Sequence, residues 1–455
     1  MIRFMEVFRR SQRGPYLSEM EYDMAFNQKV SEIVKKYGIT YDPDHPIPND
    51  DQMADDLFQA GLELYEEVGT FCVDTGRVIR FSREEILEAL VMAPTDPVYG
   101  EGKDARPIRV RPPESDISPY CFVGAVGAAC TDEYLLSALV EGYGLLPLAN
   151  SITTPSIKQM NGMTVVVNTP LEIYACIRTV ELSRSALRKA GRPGLPLMNC
   201  IASAVTDASK IAGSQFGLMP WDGWVIGSMA EMKINYQRMN EIAYVLCRGG
   251  QILSETSPLL GGYCGGPEGV AVANVAYHFQ SILVFRGSVH LSFPIHFKYS
   301  CNTTRDVLWA ISASNQAISR NSHFPLMTIE ILAAGPGTEM CFYENAAQVI
   351  TDLVSGGNFE GPGVGKNAHL DHQNPWEAKF STEVAHATRG LKRDTANEIV
   401  KDLLSKYESK IPEAPPGKRF QDCFNTETLE PTPQYLDLYE KIKDEMKQYD
   451  LTFLA

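Results

Sequence analysis

Ala190-Gly191-Arg192-Pro193-Gly194-Leu195-Pro196-Leu197-Met198-Asn199-Cys200 leaves a helix at Gly191, turns through Pro193-Gly194 and enters a short apolar run that ends at Met198 and Asn199. Glycine past a helix end and proline just beyond it are stop signals, since one admits a left-handed backbone and the other cannot continue the helix. The helix before this turn and the apolar run after it make one unit, and similar units recur on both sides. From residue 118 onward eight short apolar runs follow one another: Cys121–Val126, Leu145–Ala149, Leu195–Cys200, Trp224–Gly227, Ile252–Glu255, Val289–Phe293, Leu326–Glu330 and Asn358–Gly361. Helical stretches separate them at 131–141, 170–190, 233–248, 267–285, 303–320 and 338–355, with another at 375–390. Between Glu231 and Cys247, for instance, Ile234, Met239, Ile242, Ala243 and Leu246 recur at near-helical spacing before Arg248-Gly249-Gly250 closes the segment.

Strands alternating with helices predict a parallel sheet, and eight repeats fit a (β/α)8 TIM barrel. An open doubly wound sheet is the alternative, but no GxGxxG follows the first strand. Residues 17–95 read as a helical lead-in. One helix runs to Tyr37-Gly38, a second is capped by Asp50 or Asp51, and Ser82-Arg83-Glu84-Glu85 is a capping box for a third. Asp74-Thr75-Gly76, between Phe71-Cys72-Val73 and Val78-Ile79-Arg80-Phe81, is a hairpin signal. After the barrel, Thr395–Ser409 and 434–449 read as amphipathic and charged helices separated by Pro412-Pro415-Pro416-Gly417. The expected organisation is an N-terminal helical extension (1–117), the barrel (118–392) and a C-terminal helical segment (393–455).

Bulk properties narrow the function. The chain has 455 residues and a net charge of -15, which opposes binding to nucleic-acid phosphates, and no basic stripe offsets it. No window supplies the roughly 18 unbroken apolar residues of a membrane span, and Met1–Tyr16 lacks the apolar core of a secretory signal. A cytoplasmic protein is expected. Ten scattered cysteines with no CxxC argue against a disulfide framework.

In a barrel of this kind chemistry sits where a strand ends and its loop begins. Those positions are Asn150, Met198, Asn199, Ser228, Glu255, His290, His296 and Glu330. Glu255 is the leading candidate: a carboxylate closing Gln251-Ile252-Leu253-Ser254 would face the mouth, where desolvation tunes its basicity. Glu330 ends the seventh run in the same way. His290 is read either as a substrate contact or as a core histidine with satisfied nitrogens. His369-Leu370-Asp371-His372 has metal-like spacing but supplies only two imidazoles, so no metal is expected. The glycine-rich loop Gly261-Gly262-Tyr263-Cys264-Gly265-Gly266 lacks the lysine and serine of a nucleotide loop and suggests close backbone approach instead. Trp221, Trp224, Tyr263, Phe293, Phe297 and Tyr299 cluster near the expected mouth, where each is read either as core packing or as an aromatic face that with Glu255 would hold a methylated ammonium.

Several of these motifs together are similar to one family. Ala190-Gly191-Arg192-Pro193-Gly194, Gly261-Gly262-Tyr263 with Gly265-Gly266, Asn302-Thr303-Thr304-Arg305 and Gly335-Pro336-Gly337-Thr338-Glu339-Met340-Cys341 resemble the monomethylamine:corrinoid methyltransferases of methanogens. The resemblance runs from Tyr37-Gly38-Ile39 and Asp74-Thr75 to Ala414-Pro415-Pro416-Gly417-Lys418. It implies a TIM barrel, a symmetric homo-oligomer and a mouth that receives a separate corrinoid protein, to whose cobalt(I) a methyl group passes from an amine. It also implies that no corrinoid is held tightly by this chain.

The departure lies at the centre. In the family the strand after Ala-Gly-Arg-Pro-Gly carries pyrrolysine, whose imine ring adds the amine; that position is Met198 here. The family's acid beside the ring matches Glu255, while its glutamine and tyrosine fall on Ile329 and Ile331. Asn199, Glu330, Tyr263, His290 and Phe297 complete the expected substrate-binding set. Neutral methylamine is a very poor leaving group, and without the imine the donor is expected to arrive already activated, as a quaternary ammonium or sulfonium. Two other readings stay open: a corrinoid-independent lyase or isomerase using Glu255 with Glu330 or a histidine, and a non-catalytic protein that binds a methylated amine.

Overall fold

Eight parallel strands follow one another round a ring, and each is followed by a helix on the outside. In the computed structural model, which describes residues 3–198, 206–365 and 369–453, they are β1 (Cys121–Gly124), β2 (Ser151–Thr153), β3 (197–198), β4 (Gly223–Gly227), β5 (Gln251–Thr256), β6 (Val289–Ser292), β7 (Leu326–Ile331) and β8 (Asn358–Gly363). Seven form one sheet in the order β4-β5-β6-β7-β8-β1-β2. β3 closes the ring, with Leu197 paired to Ile152 on β2 and Met198 to Gly223 on β4, both parallel. The stretch quoted at the outset thus supplies the strand that turns a sheet into a barrel.

The helices are α1 (Phe4–Arg13), α2 (Glu19–Tyr37), α3 (Asp51–Val68) and α4 (Arg83–Val91) before the barrel. Within it come α5 (Glu133–Gly144), α6 (Pro170–Lys189), α7 (Asp207–Gln215), α8 (Tyr236–Cys247), α9 (Pro267–Leu283), α10 (Arg305–Asn321), α11 (Glu339–Val354) and α12 (Pro375–Ala387). After it come α13 (Arg393–Tyr407) and α14 (Pro433–Met446). Ser18 and Ser82 close reciprocal capping boxes with Glu21 and Glu85. α3 packs against α9 and α10, and α13 against α11, so lead-in and C-terminal helices extend the outer layer. Among the described residues no helix is long and apolar enough to cross a membrane.

Strand alternation sorts the side chains. Outward residues such as Val123, Ile152, Leu197, Ile226, Ile252 and Phe359 join the large cluster between barrel and helices. Inward residues form a separate cluster of Phe122, Met198, Val225, Leu253, Val289, Leu291, Met327, Ile329 and Ile331, with Tyr99, Ile108 and Tyr120. The lower end is crossed by the segment around Tyr99: the Gly100 amide donates to the Trp221 carbonyl, the Glu101 amide to Gly194, and the Gln251 side chain to Val98.

Two expectations need correction. The second run, Leu145–Ala149, is not a strand: Leu145 caps α5 and is exposed, and the strand is the shorter Ser151–Thr153. A helix that no expectation covered, α7, follows β3; Ile211 is its one large apolar residue, so no apolar stripe is long enough to read.

Candidate active site

Arg192, Gly194 and Asp222 explain why the chain turns as it does before β3. The Arg192 guanidinium donates to the carbonyls of Leu146 (3.3 Å) and Ala149 (3.0 Å) and pairs with Asp104. A side chain at Gly194 would place its Cβ 2.2 Å from the Glu101 carbonyl oxygen, and Gly191 sits at φ +74°. Asp222 accepts from the Leu197 amide (2.8 Å) and the Met219 amide (2.6 Å) and pairs with Arg184. Burial nonetheless pushes the Asp222 carboxyl up to about 6, against the pull of Arg184.

So held, Met198 points into the barrel and is fully buried. Gly223 makes room for it, since a Cβ at 223 would meet Met198 Cγ at 2.8 Å and Leu253 Cδ1 at 2.6 Å. Leu253 and Glu255 are successive inward residues of β5, so Met198 forms a floor one layer beneath Glu255. Asn199, also expected here, lies outside the described residues.

Glu255 faces inward beside Gly227, its partner on β4, where a Cβ would come within 3.1 Å of the carboxylate. It is half-buried at the mouth, yet enough protein surrounds the carboxyl that desolvation raises its pKa, with Lys210 and Arg238 pulling the other way. Both cations are already engaged by Glu241.

A second interior carboxyl escaped the sequence reading. Glu360 on β8 pairs in register with Ile329 on one side and Phe122 on the other, both of them inward residues. It is 1% exposed, and neither of its oxygens has a hydrogen-bond partner among the described residues. Burial first, and the charge of Glu255 second, hold this carboxyl well above the ordinary range. Only strand parity distinguishes it from Glu330, and the eighth run carried too weak an apolar signal for parity to be read.

Other expected residues take different places. Ile329 and Ile331 face inward as an apolar wall above Met327. Asn302 fixes them, its Nδ2 donating to the Ile329 carbonyl (2.7 Å) and its Oδ1 accepting from the Ile331 amide (2.8 Å). Glu330 lies between them in sequence and points outward, where Ser381 of α12 donates to it (3.3 Å) and the Asp352 carboxyl is a neighbour. It does not face the mouth. His290 is also outward: Nε2 is 3.0 Å from Thr256 Oγ1 and Nδ1 3.2 Å from Nδ1 of His278, and burial lowers its pKa to about 3. Tyr263 and Phe297 are exposed on the loops after β5 and β6, which pair through Leu259–Ile295 and Leu260–His296. The loop amides of Gly261, Gly262 and Gly265 bond within the turn itself, so the glycines serve a tight turn.

The expected aromatic cluster divides. Phe293 packs on the interior cluster. Trp224 points outward to Ser214 (2.9 Å), and Trp221, at the opposite end of β4 from the mouth, stacks under Arg184. The rings of His369 and His372 lie 5.1 Å apart on a loop with no metal-ligating group of three or more among the described residues.

The rim is completed from far along the chain. A Cβ on Gly335 would fall 1.8 Å from the Pro416 carbonyl oxygen. The Gly335 amide donates to the Pro415 carbonyl (2.8 Å) and the Lys418 amide to Pro336 (2.9 Å), so the two glycine–proline motifs meet backbone to backbone. Glu344 receives the amides of Ala333 and Ala334 beneath the same loop.

The family model for monomethylamine methyltransferase MtmB matches residues 2–451 of this sequence. The chain belongs to that family. It is 29% identical to monomethylamine methyltransferase MtmB1 of Methanosarcina barkeri over 457 residues, covering 98% of each chain. With MtmB3 of Methanosarcina barkeri strain Fusaro it shares 30% identity over 438 residues, 94% of each. The crystal structure of the Methanosarcina barkeri monomethylamine methyltransferase superposes with a TM-score of 0.95 at 28% identity, covering 99% of this chain and 98% of that one. A hydroxylamine complex of MtmB matches equally well. As a member of the monomethylamine methyltransferase family the chain is a methyltransferase with the family's barrel.

Proposed function

We propose that this methyltransferase works without pyrrolysine. It moves a methyl group from a donor that is already cationic, most simply a quaternary ammonium, to cobalt(I) of a corrinoid carried by a separate cytoplasmic protein. The observation that carries the reading is the interior itself: an inward Met198 below, inward Ile329 and Ile331 to one side, and Glu255 with Glu360 as the acidic groups. Thioether and alkyl groups cannot add an amine or raise its leaving ability. They can pack around methyl groups, while a carboxylate in a poorly solvated site is drawn strongly to a cation.

The corrinoid supplies a strongly nucleophilic metal centre when its carrier docks at the mouth. For this chain's part, Glu255 sets the donor's orientation and balances its charge, and the surrounding alkyl groups exclude water. The methyl carbon leaves as the nitrogen keeps its bonding pair, so a cationic donor departs as a neutral amine and no proton need be supplied.

The test is to combine the protein, a cobalt(I) corrinoid and its carrier with N- and S-methylated compounds and follow corrinoid methylation by absorbance. Turnover is expected with quaternary donors and not with methylamine, and Glu255→Gln should lower kcat/KM about 100-fold. Efficient demethylation of methylamine, or an unaffected Glu255→Gln enzyme, refutes the proposal.

A further inference from the structure

Glu360 is a carboxyl group with nothing to hold. It is walled by Ile329 and Phe122, and both oxygens lack a partner among the described residues. An ionised carboxylate so placed would have no compensating charge, because among the described residues no salt bridge reaches Glu255 or Glu360, and Lys210 and Arg238, which bear on Glu255, are shared with Glu241. Glu330 on the reverse face of β7 and Asp352 on α11 are themselves buried carboxyls held well above the ordinary range, and they supply no positive charge. Two carboxyls sharing one poorly solvated interior do not both ionise, and the more deeply buried one keeps its proton. A protonated carboxyl carries an O–H, and a buried O–H without an acceptor is costly. An acceptor from outside the described residues removes that cost.

We propose that Glu360 is a donor-recognition residue that acts protonated, giving its O–H to an acceptor oxygen on the methyl donor while Glu255 meets the donor's positive charge. The inference rests on the cationic donor proposed above and narrows it. The substrate class becomes a methylated ammonium that also bears a hydroxyl, carbonyl or carboxylate oxygen. Glu360 is then a specificity-determining residue, because it distinguishes oxygen-bearing donors from plain alkylammonium ions.

Calorimetric titration of the full chain with tetramethylammonium, choline and betaine tests this directly. In the wild type at least one oxygen-bearing cation should bind about 10-fold more tightly than tetramethylammonium, the scale of one well-made hydrogen bond. Glu360→Leu, which suits an apolar interior, should bring that ratio close to one. Glu360→Gln, which keeps an N–H donor, should restore part of it. The ratio is internal to each variant, so a change in overall stability does not mimic the effect. Tetramethylammonium binding without preference in the wild type, or a preference that survives Glu360→Leu, overturns the role of Glu360 and leaves the cationic donor standing. If no cation binds, or binding ignores Glu255→Gln, both readings fall.

Discussion

Asp222 Oδ1 accepts a 2.8 Å hydrogen bond from the Leu197 amide, and the other carboxylate oxygen meets Arg184 of α6. One buried side chain therefore ties the shortest strand of the barrel to an outer helix and fixes where Met198 points. Asp222→Ala leaves Arg184 without its charge partner and the Leu197 amide without this acceptor. We expect a loss of about 3 kcal/mol in urea unfolding. Asp222→Asn keeps one acceptor and should lose less; equal losses would show that the amide contact does not matter.

Asn302 replaces a missing stretch of sheet pairing at the upper end of β7. Its amide contacts both Ile329 and Ile331, so Asn302→Ala removes two hydrogen bonds to buried backbone. Stability should fall by about 2 kcal/mol. In the methyl-transfer assay KM for the donor should rise more than kcat falls, because the apolar wall shifts while Glu255 stays. A change confined to kcat would contradict this.

His290 is held neutral within the sheet's outer layer. Its pKa, lowered by burial to about 3, lies below the ordinary value of 6.5. Its contribution to stability is thus complete above pH 6.5 and is lost as pH falls toward 3, at up to about 1.4 kcal/mol per pH unit. His290→Gln should show a shallower decline in that window and leave methyl transfer within about twofold. A large rise in KM would return His290 to the substrate site.

Glu377 joins the rim to the C-terminal helix, accepting from the Gly337 amide (2.9 Å) and the Tyr435 hydroxyl (2.7 Å) through the same oxygen. Burial raises its pKa from 4.5 to about 7, partly offset by the Tyr435 hydrogen bond. Stability from this group is full below pH 4.5 and is lost as pH rises to about 7, then flat. Glu377→Gln retains the accepting oxygen. The stability gap between variant and wild type should therefore grow in the variant's favour across that window. A pH-independent gap would show that Glu377 does not titrate there.

The barrel was legible because its repeats are redundant: seven of the eight runs fall on strands, and helix ends such as Gly38 and the Ser18 and Ser82 boxes are local chemistry. Ser151–Thr153 was missed because Ser and Thr flank a single Ile, while the nearby Leu145-Leu146-Pro147-Leu148 is more apolar but belongs to a helix end. The site was less legible for a geometric reason. A strand alternates its faces with a period of two, so an uncertainty of one residue exchanges mouth for outer layer. That is why Glu330 and His290 were expected inside and Glu360 was overlooked. Glu255 was placed inward as expected, where Gly227 leaves it space.

The contact between Gly335 and Pro416 has a bearing on biogenesis. During translation the loop carrying Gly335 emerges long before its clasp, so the nascent barrel has an unfinished rim until residues 415–418 leave the ribosome. Chains released early would have all eight strands and still lack a finished entrance.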